Sequence, residues 1–157
     1  MPGSWSPADF PNLDPTNHDV TSPATRTYNC FAWAANITAQ RWEPDFFCQY
    51  YWPPNVPREY TAGAIIKAYE TLGFRLCFSG ALEDGIEKIV IFAEIRNGIQ
   101  RPTHAALQLQ SGHWTSKLGD FEDISHTTEG CVAGGLYGNV FCYLQRPRPE
   151  NPHGCHQ

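Results

Sequence analysis

The sequence predicts an α+β fold in which N-terminal helices pack on an antiparallel sheet. Helical patterns are confined to the first half of the chain, where apolar residues spaced three and four apart follow Asn29 and again follow Thr61. The second half contains β-rich apolar runs separated by glycine-containing turns, a pattern that predicts hairpins. Because the helices precede the strands and do not alternate with them, the pattern favours the α+β class.

Length and composition indicate one soluble domain. The chain has 157 residues, of which 41% are hydrophobic and 17% charged, as expected for a globular protein. We expect an irregular N-terminal arm over residues 1–26, a single α+β domain over residues 27–146 and a flexible tail over residues 147–157. The net charge of −5 argues against a nucleic-acid partner. The lack of a long apolar run argues against a membrane partner.

The cysteines predict a reducing compartment. Six cysteines occur without a recognisable signal peptide, so we expect free thiols and a cytoplasmic location. No Cys-x-x-Cys pair is present, and the spacing of His104, His113 and His126 fits none of the usual ligand pairs. We therefore expect no metal and no cofactor, and the oligomeric state stays open.

The first helix is predicted from Cys30 to about Gln40, with Asn29 as its N-cap. Its apolar stripe consists of Cys30, Trp33, Ala34 and Ile37. A thiol at the first helical position lies at the positive end of the helix dipole, which favours the thiolate. Cys30 is therefore either a positioned nucleophile or an ordinary buried thiol.

An aromatic, proline-rich loop follows over residues 41–57, and it either covers the core or forms the wall of a binding cleft. Thr61 then caps a second helix that Gly73 ends. Strand patterns occupy residues 74–78, 88–93, 103–109, 113–118 and 139–144. The apolar run 88–93 is predicted to be a central strand, residues 119–128 a polar connection and residues 130–138 a turn region.

His104 is the candidate general base. It opens the first arm of the predicted hairpin and shares a face with Gln108. A helix packed on that face would set Cys30 against His104, so that the imidazole takes the thiol proton. A polar group on the returning strand would then fix the tautomer of the ring. The candidates for this role are Ser116, Asp120 and Asp123. Ser116 lies within the returning strand, whereas Asp123 is the better acceptor for an imidazolium.

Other polar residues have simpler interpretations. Asn29 is a cap whose amide is also placed to donate to an oxyanion beside the Cys30 backbone N–H. His113 and His126 are expected at the surface. Lys117 is either a solvated strand residue, which we favour, or a contact to an oxyanion or a carboxylate. The remaining cysteines of the domain are expected to be structural, namely Cys48, Cys77, Cys131 and Cys142.

The order of the candidate residues resembles that of the papain-like superfamily, and within it the NlpC/P60-type amidases. In both, a cysteine begins a helix, a histidine begins a later strand and a polar residue follows on the next strand. The resemblance implies a papain-like or NlpC/P60-like core with Cys30, His104 and Ser116 as catalytic residues, supported by Asn29 and Asp123.

The chain more closely resembles an uncharacterised bacterial domain family over residues 28–148. The shared motifs are Asn29-Cys30, Ala32-Trp33-Ala34, Tyr51-Trp52-Pro53, Thr103-His104-Ala105-Ala106, Trp114-Thr115-Ser116-Lys117-Leu118-Gly119, Glu122-Asp123-Ile124 and His126. This family brings no assigned reaction with it.

Two functions follow as hypotheses. The first is a cysteine hydrolase or acyltransferase that acts on a peptide, another amide or a thioester through Cys30 and His104. The alternative is a non-catalytic module that binds a protein partner through the aromatic loop between Trp42 and Trp52.

Overall fold

A single seven-stranded sheet organises the computed structural model, which describes residues 3–149. The strands are β1 His18–Ser22, β2 Arg75–Cys77, β3 Ile86–Arg96, β4 Ile99–Gln108, β5 Trp114–Lys117, β6 Asp123–His126 and β7 Asn139–Pro147. Their order across the sheet is β1-β6-β5-β4-β3-β7-β2, and every neighbouring pair is antiparallel. The helices are α1 Cys30–Ala34, α2 Ala62–Glu70 and a short 3-10 helix Glu129–Val132.

The prediction of an α+β fold is wrong, and so is the papain-like or NlpC/P60-like core expected with it. The described chain is mostly antiparallel sheet, and its two α-helices have only five and nine residues. The first helix ends at Ala34 and does not reach Gln40. It stops there because Asn36 adopts a positive φ of 62°, which no α-helix can contain.

Two strands lie where the sequence predicted irregular chain, namely the edge strand β1 and its neighbour β6. β1 falls within residues 1–26, and β6 falls within the expected polar connection. They pair with each other, with His18 opposite His126 and Val20 opposite Ile124. β6 also pairs with β5, so this part of the chain extends the sheet.

The prediction of a central strand is confirmed. β3 lies between β4 and β7, and its residues alternate between two cores on the two faces of the sheet. The helix-face cluster contains Cys30, Ile91, Ala105, Leu107 and residues of both α-helices. The arm-face cluster contains Phe10, Val90, Phe92, Ala106, Trp114, Val132 and Tyr137.

Within residues 3–149, no helix has the length and apolar character needed to cross a membrane. Of the tail expected over residues 147–157, residues 150–157 lie outside the part of the chain that the structure describes.

Candidate functional site

Asn29 joins the start of α1 to the aromatic loop. Its Oδ1 accepts from the backbone N–H of Ala32 at 3.2 Å, which confirms the predicted N-cap. The same oxygen accepts from the Trp42 backbone N–H at 3.0 Å, and Nδ2 donates to the Trp42 carbonyl at 2.8 Å. The amide of Asn29 is thus engaged with Trp42, and its expected donation to an oxyanion stays a prediction.

Cys30 is a buried thiol of the helix-face cluster, only 7% exposed. Burial raises the pKa of Cys30 to about 12, although the backbone N–H of Ala105 acts in the opposite direction. The protonated thiol therefore dominates near neutral pH. This environment therefore does not favour the thiolate that the helix dipole was expected to stabilise.

Cys30 packs against β4 from the helix face of the sheet. The backbone N–H of Ala105, the residue that follows His104, lies close enough to the thiol to act on its pKa. The pairing of β4 with β5 covers only Leu107 and Gln108 on the β4 side, so it does not include Ala105.

His104 is fully buried, and its ring is held on the arm face. The ring stacks on Tyr137 at a centroid distance of 4.0 Å and an interplanar angle of 3°, and it lies 5.4 Å from the ring of Phe92. Its Nε2 is 2.9 Å from Ser116 Oγ. The structure therefore brings Ser116 to His104. The prediction that a helix packs on the face of β4 that carries His104 is wrong, because Cys30 lies in the helix-face cluster and the His104 ring lies against residues of the arm-face cluster. No hydrogen bond joins the described atoms of His104 and Cys30.

A chain of hydrogen bonds fixes the tautomer of His104. Nδ1 of His126 lies 2.8 Å from the carbonyl oxygen of Thr128, which can only accept, so Nδ1 carries the proton. In neutral His126, Nε2 must then accept from the Ser116 hydroxyl at 2.8 Å. Ser116 Oγ in turn accepts from the Nε2–H of His104.

The Nδ1 atom of His104 is left with a free lone pair. It is buried and has no hydrogen-bond partner in the structure. Burial, followed by the nearby charge of His126, holds the pKa of His104 well below its usual range. His104 is therefore neutral near pH 7, with an unoccupied basic nitrogen. The free lone pair can accept a proton, although the lowered pKa makes it a weaker base than an ordinary imidazole.

Tyr137 is a buried residue whose ring stacks on that of His104. Burial, and next the charge that an ionised Cys30 would carry, raise the pKa of Tyr137 well above its usual range.

Asp123 is not brought to His104. It is buried, and its Oδ2 accepts from the Tyr28 hydroxyl at 2.7 Å. Burial raises the pKa of Asp123, whereas the Tyr28 hydroxyl and the charge of Lys117 act to lower it. Asp120 pairs instead with Arg41 at 3.1 Å.

Two surface predictions are wrong. Lys117 is buried, and its Nζ donates to the carbonyls of Gly119, at 2.8 Å, and Phe121. His126 is also buried and bonded to Ser116, as described above.

Sequence reasoning missed Cys131, which lies beside His126. Its sulfur is 3.5 Å from Thr127 Oγ1 and 3.4 Å from Thr128 Oγ1. Burial alone would raise the pKa of Cys131, but hydrogen bonds with His126 and the two threonines outweigh it and lower the pKa to about 6. The available signal was local, because His126 precedes Cys131 by five positions with both threonines between them.

Across residues 3–149, no three or more histidine, cysteine, aspartate or glutamate side chains are grouped so that they could hold a metal ion.

Fold and site together define a mostly antiparallel β protein with a buried hydrogen-bonded chain of histidine, serine and histidine. The chain belongs to the family described as "Domain of unknown function (DUF7689)", whose model matches residues 19–145. This match agrees with the expected uncharacterised domain family, and it shows no link to papain-like or NlpC/P60 proteins. No curated protein and no solved structure matches the chain.

Proposed function

We propose that this protein is a cysteine-dependent hydrolase or acyltransferase that acts on an amide or a thioester. The observation that carries the proposal is the buried, unpartnered Nδ1 of His104, on a ring whose other nitrogen is fixed by Ser116. A neutral imidazole in that state accepts a proton from a nucleophile. Cys30 supplies the candidate thiol, which lies near the backbone N–H of Ala105, the residue that follows His104.

The protonation states favour general-base catalysis over a resting ion pair. Because the pKa of Cys30 is about 12 and that of His104 is well below its usual range, both groups are neutral before reaction. As the sulfur attacks the carbonyl carbon, its proton passes to His104 Nδ1. His104 then protonates the leaving amine or thiol, and water or another acceptor releases the acyl group from Cys30.

Steady-state kinetics with acyl thioesters and aryl amides of simple carboxylic acids test the proposal. We expect Cys30→Ala to abolish turnover and His104→Gln to lower kcat/KM by at least about 100-fold, as is typical for loss of a general base. Ser116→Ala should lower kcat more than it raises KM, because the ring loses its orientation and not its substrate contacts.

Cys142→Ser is the matched control, since Cys142 is a partly buried free thiol of β7 and has no role in the proposed reaction. It should keep the kinetics of the unmodified protein. Turnover that survives in Cys30→Ala would overturn the assignment of the nucleophile, and no turnover of either substrate class would overturn the reaction class.

A second candidate function is protein binding at the aromatic loop, and a specific observation favours it. Phe46 and Phe47 are 89% and 79% exposed and contact each other edge to face at 5.3 Å. The loop that carries them is ordered by Asp45, which accepts from the backbone N–H of Gln49 at 2.7 Å and from Arg58 at 2.9 Å. Exposed rings on an ordered loop are typical of a contact surface.

Paired variants separate the two functions. Replacing Phe46 and Phe47 by serine should leave the turnover of small thioesters unchanged and abolish retention of any protein that the unmodified chain binds. Cys30→Ala should have the opposite pattern. Loss of both properties in either variant would contradict their separation.

A further inference from the structure

We propose that the free edge of β1, together with the cavity beside it, binds an extended peptide segment through a lysine or arginine side chain. The site lies within residues 3–20 and includes neither Cys30 nor His104. Peptide binding there is therefore independent of the proposed hydrolase activity.

β1 is the terminal strand of the sheet, and β6 is its only partner among the described strands. The carbonyl of Asn17 accepts from the backbone N–H of Thr127 at 3.0 Å. Because backbone groups of an antiparallel strand alternate in direction, those of Asp19 face β6 and those of His18 and Val20 face away from it. Among residues 3–149, no hydrogen bond outside the sheet involves the backbone groups of His18 or Val20. This edge can therefore pair with another strand.

A cavity of about 490 Å³ lies along this edge and is lined by His18, Asp19 and Val20. Successive side chains of a strand point to opposite faces, so a cavity that touches three consecutive residues lies beside the strand and not over one face. Trp5 and Leu13 line the cavity from the N-terminal segment. Strand addition draws affinity from backbone hydrogen bonds and specificity from side-chain pockets, and the edge and the cavity together provide both.

The wall that Trp5 forms is held in place by contacts within the chain. The Trp5 ring packs against Phe10 at a centroid distance of 6.0 Å and against His18 at 5.6 Å. The neighbouring Ser4 donates to Glu122 Oε1 from its backbone N–H at 3.1 Å and from its hydroxyl at 2.7 Å. A preformed pocket of this kind lowers the entropic cost of binding.

The polar groups of the cavity favour a cationic side chain. Asp14 and Asp19 line it and are exposed, and neither lysine nor arginine is among its described lining residues. Hydrogen bonds from Thr16 lower the pKa of Asp14, which keeps that carboxylate ionised. Nδ1 of His18 lies 2.7 Å from the carbonyl oxygen of Asp14, so in the neutral ring Nδ1 carries the proton and Nε2 is an acceptor.

Lysine and arginine side chains match both the apolar and the polar part of the cavity. Their aliphatic stems pack on apolar surface such as that of Leu13 and Val20, while the charged head stays among polar groups. A cation over a tryptophan ring gains further attraction, and Trp5 supplies that ring. Ammonium and guanidinium groups have donors only, which match the carboxylates of Asp14 and Asp19.

NMR titration of the nitrogen-15-labelled chain with short peptides tests the site. The probes are the acetylated and amidated pentapeptides Thr-Val-Arg-Val-Thr and Thr-Val-Lys-Val-Thr, and the same peptide with uncharged norleucine at its centre. We expect the basic peptides to shift the amide signals of residues 18–20 and the indole signal of Trp5. They should bind at least about fivefold more tightly than the norleucine peptide. Equal affinities, or shifts confined to other residues, would overturn the proposal.

The double variant Asp14→Asn with Asp19→Asn should bind the arginine peptide at least about fivefold more weakly and the norleucine peptide equally well. Asparagine at position 14 can still accept from Thr16, so the local turn is kept. Glu70→Gln is the matched control, because Glu70 is an exposed acid on α2, which packs in the helix-face cluster. It should leave both affinities unchanged. An equal loss in Glu70→Gln would contradict recognition at the cavity.

N-methylated peptides test the backbone pairing. Methylation removes an N–H donor, and successive amides of a strand point to opposite sides. Of two arginine peptides methylated at the arginine or at the valine after it, only the one whose lost donor faces β1 should bind at least about fivefold more weakly. Equal binding of the two peptides would overturn strand addition, as would n-butylguanidine binding as tightly as the arginine peptide.

Cys30→Ala should bind the arginine peptide as the unmodified chain does. Peptide binding by a protein that turns over no thioester or amide would support this site and reject the hydrolase. Turnover without binding of either basic peptide would reject the site and leave the hydrolase in place.

Discussion

Cys30 and Cys131 are both buried, yet their surroundings move their pKa values in opposite directions. Burial dominates at Cys30 and raises its pKa to about 12. At Cys131, hydrogen bonds from His126, Thr127 and Thr128 outweigh burial and lower the pKa to about 6. The two thiols are therefore distinguishable by the pH dependence of their reactions.

Alkylation by iodoacetamide should separate the two thiols. Because the thiolate is the reactive form, the rate at Cys131 should reach half its maximum near pH 6, while the rate at Cys30 should still rise at pH 10. Peptide mass spectrometry at timed points measures both rates, with Cys142, whose pKa burial raises to about 11, as an internal reference. Coincident pH profiles for Cys30 and Cys131 would contradict the two environments.

His104 should make the protein less stable in mild acid. Its pKa in the folded state lies well below the ordinary value of 6.5, so below about pH 6.5 the unfolded chain binds a proton that the folded state refuses. The free energy of unfolding should therefore fall by about 1.4 kcal/mol per pH unit on this residue alone as the pH decreases.

Urea denaturation of the unmodified protein and of His104→Gln between about pH 7 and pH 5 measures this effect. We expect a shallower loss of stability in the variant, because glutamine does not titrate. Parallel pH dependences would mean that His104 is not held in its neutral form.

At the scale of elements, Asn29 and Thr61 are matched helix caps with different additional bonds. Thr61 Oγ1 accepts only the Ala64 backbone N–H among its described hydrogen bonds, whereas Asn29 also bonds both backbone groups of Trp42. Thr61→Ala should cost about 1 kcal/mol of stability, as cap losses usually do. Asn29→Ala should cost at least about 2 kcal/mol, because two buried backbone groups of Trp42 also lose their partner.

Chemical denaturation of the two variants provides the measurement. Hydrogen exchange should also accelerate in the aromatic loop of Asn29→Ala and remain unchanged there in Thr61→Ala. Equal losses of stability would contradict the role of Asn29 in holding the loop to α1.

The elements that the sequence predicted are those with strong local signals. Asn29 and Thr61 predict where the two helices start, and the continuous apolar run of β3 predicts a buried strand. β1 and β6 have five and four residues, and their pairing joins segments about a hundred positions apart. Such pairing is set by tertiary contacts, so local patterns carry little information about it. Local patterns also predicted too long a first helix, because the apolar stripe continues to Ile37, beyond the turn at Asn36.

At the scale of the whole molecule, the N-terminal segment is part of the core. Phe10 is buried in the arm-face cluster, and its ring lies 5.2 Å from that of Tyr137, which stacks on His104. Phe10→Ala should cost about 3–5 kcal/mol, the usual range for a buried phenylalanine. Phe46→Ala should change stability by less than about 0.5 kcal/mol, because Phe46 is almost fully exposed.

Thermal and urea unfolding of both variants measure the difference. A small effect of Phe10→Ala would show that the N-terminal segment is dispensable for the core that supports the His104 ring.

Only part of the candidate site could be predicted from the sequence. Ser116 could be placed near His104 because a hairpin brings a residue of the returning strand back to the first strand. The link from Ser116 to His126 depends on the register of β6 against β5, where Ser116 faces Ile124. That register is fixed by burial of Ile124 and Trp114 in the arm-face cluster, which no local pattern reveals.

Mapping the acyl group after rapid mixing with an acyl thioester is the most direct test that Cys30 is the nucleophile and His104 its base. Peptide mass spectrometry should find the acyl group on Cys30, formed at least about 100-fold more slowly in His104→Gln. An acyl group on Cys131 or Cys142, or one that forms on Cys30 at the same rate without His104, would contradict it.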